Sequence, residues 1–142
     1  MANEQPNELA ADLRMVITRL IKKLRTKSEA GAKLSLTERS TIKLLDEHKE
    51  LLPSELAAME KITTQSMSQI LKKLEGHGII KRSPSKDDKR KVYISLSVTG
   101  KKMLEKVRYD KDEWLKGAIE KLLTDKEKDL LVRALPVLNK LI

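Results

Sequence analysis

Leu9, Leu13, Val16, Ile17, Leu20, Ile21 and Leu24 recur every three or four residues, with Arg14, Arg19, Lys22 and Lys23 filling the gaps. That spacing predicts a long amphipathic helix with one apolar stripe. The period fails from Lys27 to Ser35, around Gly31, and resumes with Ile42, Leu44 and Leu45. A second helix is therefore expected from an N-cap at Thr37 to about His48. Pro53 suits the first turn of a third, short helix, where a missing amide costs nothing. Leu56 and Met59 form its inner side, and it ends near Glu60. After the connector Lys61-Ile62-Thr63, a fourth helix begins at Thr64 and sets Met67, Ile70, Leu71 and Leu74 on one face. Its other face carries Gln65, Ser66, Ser68 and Gln69, then Lys72 and Lys73. Gly76 and Gly78 supply the permissive backbone of a helix end, with Ile79 placed for the accompanying apolar contact.

Residues 79–83 and 91–96 read as two strands, the second alternating Val92, Ile94 and Leu96 inward with Lys91, Tyr93 and Ser95 outward. The loop between them, 84–90, is too long for a two-residue turn and too charged for a core, so the hairpin should project into solvent as a wing. Ser97 can cap a fifth helix of about 98–123, whose broad face holds Met103, Leu104, Val107, Trp114, Leu115, Ala118 and Leu122. Trp114 reads as a packing residue, in the core or between two copies. Thr124 and Glu127 match a capping box. They open a sixth helix with Leu130, Leu131, Ala134, Leu135, Leu138 and Leu141, which Pro136 should kink. No internal repeat or low-complexity linker interrupts this order. The fold class is mainly α with a small β-hairpin wing.

With 142 residues, one compact domain with helical extensions is the default. Charged residues make up 36%, so no stretch is apolar long enough to span a bilayer. The first residues, with acids and no long apolar run, suggest no export signal, and a cytoplasmic location is expected. The absence of cysteine excludes disulfides, thiolate metal sites and thiol oxidation, and two distant histidines, His48 and His77, form no zinc cluster. Both fall at helix ends and receive no catalytic role; no metal and no cofactor are called for.

The formal charge of +9 points to an acidic polymer as partner. Between positions 72 and 91, eight basic residues (Lys72, Lys73, Lys81, Arg82, Lys86, Lys89, Arg90, Lys91) face three acids (Glu75, Asp87, Asp88), so this short segment holds more than half of the excess. Tyr93, Tyr109 and Trp114 are the only aromatic residues, too few for a binder that stacks single-stranded bases. Duplex DNA is the expected partner.

Two helices joined by a tight connector, the second with an apolar back and a polar front, are the parts of a helix-turn-helix. The amides and hydroxyls of Thr64, Gln65, Ser66, Ser68 and Gln69 can bond base edges or phosphates, while Lys72 and Lys73 neutralise phosphates. On the wing the candidates are Lys86, Asp88, Lys89, Arg90 and Lys91. Arg90 can enter a narrow, electronegative minor groove, with Asp88 orienting its guanidinium. Each feature alone also fits an ordinary solvated surface, and it is their adjacency that favours a nucleic-acid site. A helical protein that binds polyanions or RNA without reading sequence is the alternative. An enzyme is disfavoured, since no nucleophile–base pair, phosphate loop or metal cluster appears.

The residues Leu36-Thr37, Pro53-Ser54-Glu55-Leu56-Ala57, the run from Thr64 to Arg82, Asp88-Lys89-Arg90-Lys91 and Leu96-Ser97-Val98-Thr99-Gly100 resemble the MarR family of bacterial winged-helix transcriptional regulators. The Asp-x-Arg wing followed by Leu-Ser-x-x-Gly carries most of the likeness. The resemblance implies a homodimer of winged helix-turn-helix modules on a pseudo-palindromic operator, usually acting as a repressor. It divides the chain into 1–35 and 98–142 for dimerisation and 36–97 for DNA binding. It also implies that a small, often phenolic or anionic, effector binds between these parts in many members; here its site is unassigned. The broad leucine faces of the terminal helices agree, being over-supplied for so small a central module.

Overall fold

In a computed structural model, which describes residues 5–142, the order is α1 (Pro6–Arg25), α2 (Glu29–Ala32), α3 (Leu36–His48), β1 (Glu50–Leu51), α4 (Pro53–Glu60), α5 (Thr64–Gly76), β2 (Ile80–Pro84), β3 (Val92–Leu96), α6 (Val98–Leu122) and α7 (Asp125–Asn139). The start of the segment read as lacking an export signal lies outside the described residues. No described helix is long and apolar enough to cross a membrane.

Residues 28–108 form one compact unit. Its core is the apolar back of α5 (Met67, Leu71, Leu74) packed with Ile42 and Leu45 of α3, Leu56 and Ala57 of α4, and Ile94 and Leu96 of β3. The sheet order is β1-β3-β2, antiparallel throughout, with Leu51 opposite Ile94, Arg82 opposite Ile94, and Ile80 opposite Leu96. The hairpin expected from sequence is thus completed by a third strand. A two-residue strand has no alternation to read, which is why β1 gives no signal in sequence.

Three local expectations are corrected. The cap of α3 is Ser35, not Thr37: its hydroxyl accepts from the Glu38 amide at 3.1 Å, and its own amide donates to Glu38 Oε2 at 3.0 Å, a reciprocal capping box. Thr37 already lies within the helix, where its carbonyl accepts the Thr41 hydroxyl at 2.8 Å. The inner side of α4 is Leu56 and Ala57, while Met59 is 44% exposed. On so short a helix, adjacent positions can both face inward, and the i, i+3 pair misreads the face. The non-periodic gap before α3 contains the single turn α2, with Gly31 buried where a β-carbon would lie 3.5 Å from the Val107 side chain.

The start of α6 is fastened to the turn between α5 and β2. Ser97 Oγ accepts from the Gly100 amide at 2.9 Å and donates to the Ile79 carbonyl at 3.0 Å, and the Ser97 amide also reaches that carbonyl at 2.9 Å. A β-carbon on Gly100 would lie 2.1 Å from the Ile79 oxygen. The Leu-Ser-x-x-Gly sequence therefore has a steric and hydrogen-bonding reason.

The second unit joins α1, up to Lys27, with residues 109–142. Neither α1 nor α7 has a buried residue. Val16, Ile17 and Leu20 of α1 and Leu130, Leu131 and Leu135 of α7 are exposed. Trp114 is half-buried, with the ammonium groups of Lys23 and Lys27 5.4 and 4.9 Å from its ring centre. Thr124 and Glu127 make the capping box expected for α7, which continues through Pro136.

Candidate nucleic-acid interface

The helix α5 is held from both ends and from behind. At its start Thr63 Oγ1 accepts from the Ser66 amide at 3.0 Å, satisfying one orphan donor. At its end the amides of Gly78 and Ile79 reach the carbonyls of Glu75 and Leu74, both at 2.9 Å, with Gly78 at φ +73°. This is the paired closure that a left-handed glycine permits. Met67, Leu71 and Leu74 are fully buried, whereas Thr64, Gln65, Ser66, Ser68, Gln69, Lys72 and Lys73 are all exposed. A rigid rod thus turns a row of amides, hydroxyls and ammonium groups to solvent.

The exposed side chains differ in freedom. The Ser66 hydroxyl accepts from Thr63 Oγ1 at 2.9 Å. Lys73 Nζ pairs with Glu38 Oε1 at 2.9 Å, and Glu38 is only 4% exposed while also serving the cap of α3. Burial pushes the Glu38 carboxyl up, but the Lys73 hydrogen bond, the Ser35 amide and the charges of Lys73 and His77 outweigh it and hold it below the ordinary carboxylate range. Lys73 therefore ties α5 to α3, a role that sequence spacing did not reveal because Glu38 lies 35 positions away.

In the wing, the Ser85 amide donates to the Lys91 carbonyl at 2.8 Å and the Lys91 amide to the Asp88 carbonyl at 2.9 Å, closing the loop. Asp88 Oδ1 accepts from the Arg90 amide at 3.0 Å and from its Nε at 3.2 Å, and Oδ2 accepts from Nη2 at 3.4 Å. These bonds with Arg90, side chain first and then backbone, hold the Asp88 carboxyl below its usual range, with Lys91 adding to the effect. The Arg90 side chain remains 91% exposed. Its guanidinium is oriented by the backbone-anchored carboxylate yet open to a partner, as expected of the Asp-x-Arg spacing. Lys86, Lys89 and Lys91 are likewise exposed.

Thr64 and Ser68 of α5 and Arg90 and Lys91 of the wing line one cleft of about 530 Å³, together with Pro53 and Arg82. Arg82 was visible in sequence only as one of several cations. Alternation along β2 turns it to the same side as Ile80, and it reaches Glu75 of α5 in an ion pair. Lys86 and Lys89 stand outside this cleft, as do Lys72 and Lys73. Among the described residues no group of His, Asp and Glu is gathered to hold a metal.

The sequence model of the MarR family matches residues 34–92, from just before α3 to the start of β3. An uncharacterised HTH-type transcriptional regulator of Mycobacterium leprae is 30% identical over 134 residues, which cover 94% of this chain and 92% of the relative. The chain belongs to the MarR family. It carries that family's winged-helix DNA-binding fold and is a transcriptional regulator rather than an enzyme. A solved transcriptional regulator of Pseudomonas aeruginosa is 32% identical and superposes with a TM-score of 0.78 over 98% of this chain and 97% of its own. A MepR variant from Staphylococcus aureus, solved bound to an oligodeoxyribonucleotide, shares the fold at a TM-score of 0.72, with 21% identity over 94% of this chain and 98% of its own.

Proposed function

We propose that this MarR-family regulator acts in the cytoplasm as a homodimer that binds a pseudo-palindromic operator in double-stranded DNA and represses transcription until a small molecule relieves it. In this reading residues 36–97 bind DNA, and 1–35 and 98–142 dimerise. The observation that carries the DNA contact is the open polar face of α5 beside the exposed, carboxylate-oriented Arg90. Gln65, Ser68 and Gln69 supply base-edge contacts with Thr64 and Ser66 near the helix start; Lys72 contacts phosphates, and Lys73, which stays half exposed while paired with Glu38, shares its ammonium with them. Arg90 enters the minor groove, Asp88 orients it, and Lys86, Lys89 and Lys91 grip the flanking backbone. Dimerisation is supported by the uncovered apolar residues of α1 and α7, more than a lone chain ordinarily leaves bare.

The test is competition binding with a duplex selected from a random pool. Affinity is expected to fall steeply with salt, and bulk non-specific DNA or structured RNA should compete poorly. Equal competition by all three would favour the alternative, a polyanion binder without sequence preference.

A further inference from the structure

A second, separate recess of about 520 Å³ is floored by the core residues Leu45 and Leu96 and lined by Asp46, Lys49, Lys81, Ser95 and Lys101. Three different parts of the chain deliver its lysines. Lys49 ends α3 in a reversed backbone conformation at φ 66° and ψ −56°, which turns the chain directly into β1. Lys81 stands opposite Ser95 in the β2–β3 ladder, in the same row as Glu50 of β1. Lys101 lies in the first turn of α6, where the helix dipole adds to the positive potential.

The charge of this recess is unbalanced. Among the described residues, none of these three lysines forms an ion pair. The carboxylate that lines it, Asp46, is taken by Arg108, Nη2 to Oδ2 at 2.7 Å. Glu50 is the nearby acid on the ladder row, exposed and outside the lining set. Three exposed cations around one concavity raise the local positive potential, which draws an anion there.

We propose that this recess is a binding site for a small multivalent anion, of the phosphate-ester or polycarboxylate class. A compact dianion can reach several ammonium groups at once while the Ser95 hydroxyl donates to it and the leucine floor excludes water from one side. A duplex is the poorer occupant. Successive residues of β2 face opposite ways, so Lys81 lines this recess while Arg82 lines the cleft beside α5 and the wing. All the lining residues belong to the 28–108 unit, so the site lies within one compact body, with Lys101 supplied by the start of α6 and the rest by α3, the turn after it and the sheet. The proposal does not depend on the DNA reading.

The experiment is a titration of the full chain with inorganic pyrophosphate at fixed ionic strength, followed by amide chemical shifts. Saturable shifts are expected at positions 49, 81, 95 and 101. Each lysine removed should weaken binding about fivefold, so K81Q/K101Q should lose it by about 25-fold with an unchanged circular dichroism spectrum. Non-saturating shifts, shifts spread equally over Lys86, Lys89 and Arg90, or an unaltered isotherm in the double variant would overturn the proposal. So would displacement of pyrophosphate from these positions by random duplex DNA, which would make the recess a backbone contact.

Discussion

Arg90 is presented by Asp88 through a backbone and two side-chain hydrogen bonds, so the pair acts as a unit although one member alone is fully open. Arg90→Ala should weaken selected-duplex binding by about 10-fold or more while leaving thermal unfolding unchanged. Asp88→Asn should lose less, because the guanidinium remains but its orientation is no longer imposed by charge; fluorescence anisotropy measures both. Gly100 makes a different demand. The Ile79 carbonyl leaves no room for a side chain, so Gly100→Ala should cost about 2 kcal/mol in denaturant unfolding. Sequence exposed both positions as parts of short motifs. It did not expose why a glycine is needed, since the carbonyl it abuts comes from another element.

Among the elements, α5 was the most legible, because its apolar period, polar front and glycine end all agree, although its cap, Thr63, read only as part of the connector. The N-cap can be tested directly: Thr63→Ala should destabilise by about 1 kcal/mol. What sequence hid were links across elements: β1, too short to alternate; Arg82, visible only as charge; and Glu38, whose partner lies on α5. Glu38 titrates below its unfolded value, so its stabilising contribution is complete above the unfolded carboxyl pKa of about 4.3 and is lost as pH falls through the folded value. Glu38→Gln keeps an acceptor for the Ser35 amide but removes the charge. Its stability curve should therefore lack that acid-side decline, with a loss at neutral pH of only about 1 kcal/mol or less, since Lys73 is half exposed and screened. Urea midpoints between pH 3 and 7 give the comparison.

At the scale of the whole molecule, the 28–108 unit has a closed core, whereas α1 and α7 contribute no buried residue. The helical period located both terminal helices but could not say what covers them, because periodicity reports a face and not its partner. If a second copy does, sedimentation should give twice the chain mass at micromolar concentration, and Leu131→Asp/Leu135→Asp should give the single-chain mass with the core still cooperatively folded. Pairing of two copies would set their α5 helices about 34 Å apart, one turn of duplex. The most direct measurement is therefore selection of bound duplexes from a random DNA pool by the full chain. A two-fold symmetric consensus with half-sites about 10 base pairs apart is expected, lost when Gln65 and Gln69 are both replaced by alanine. A pool that emerges without any enriched sequence, or an enrichment indifferent to those two glutamines, would contradict it.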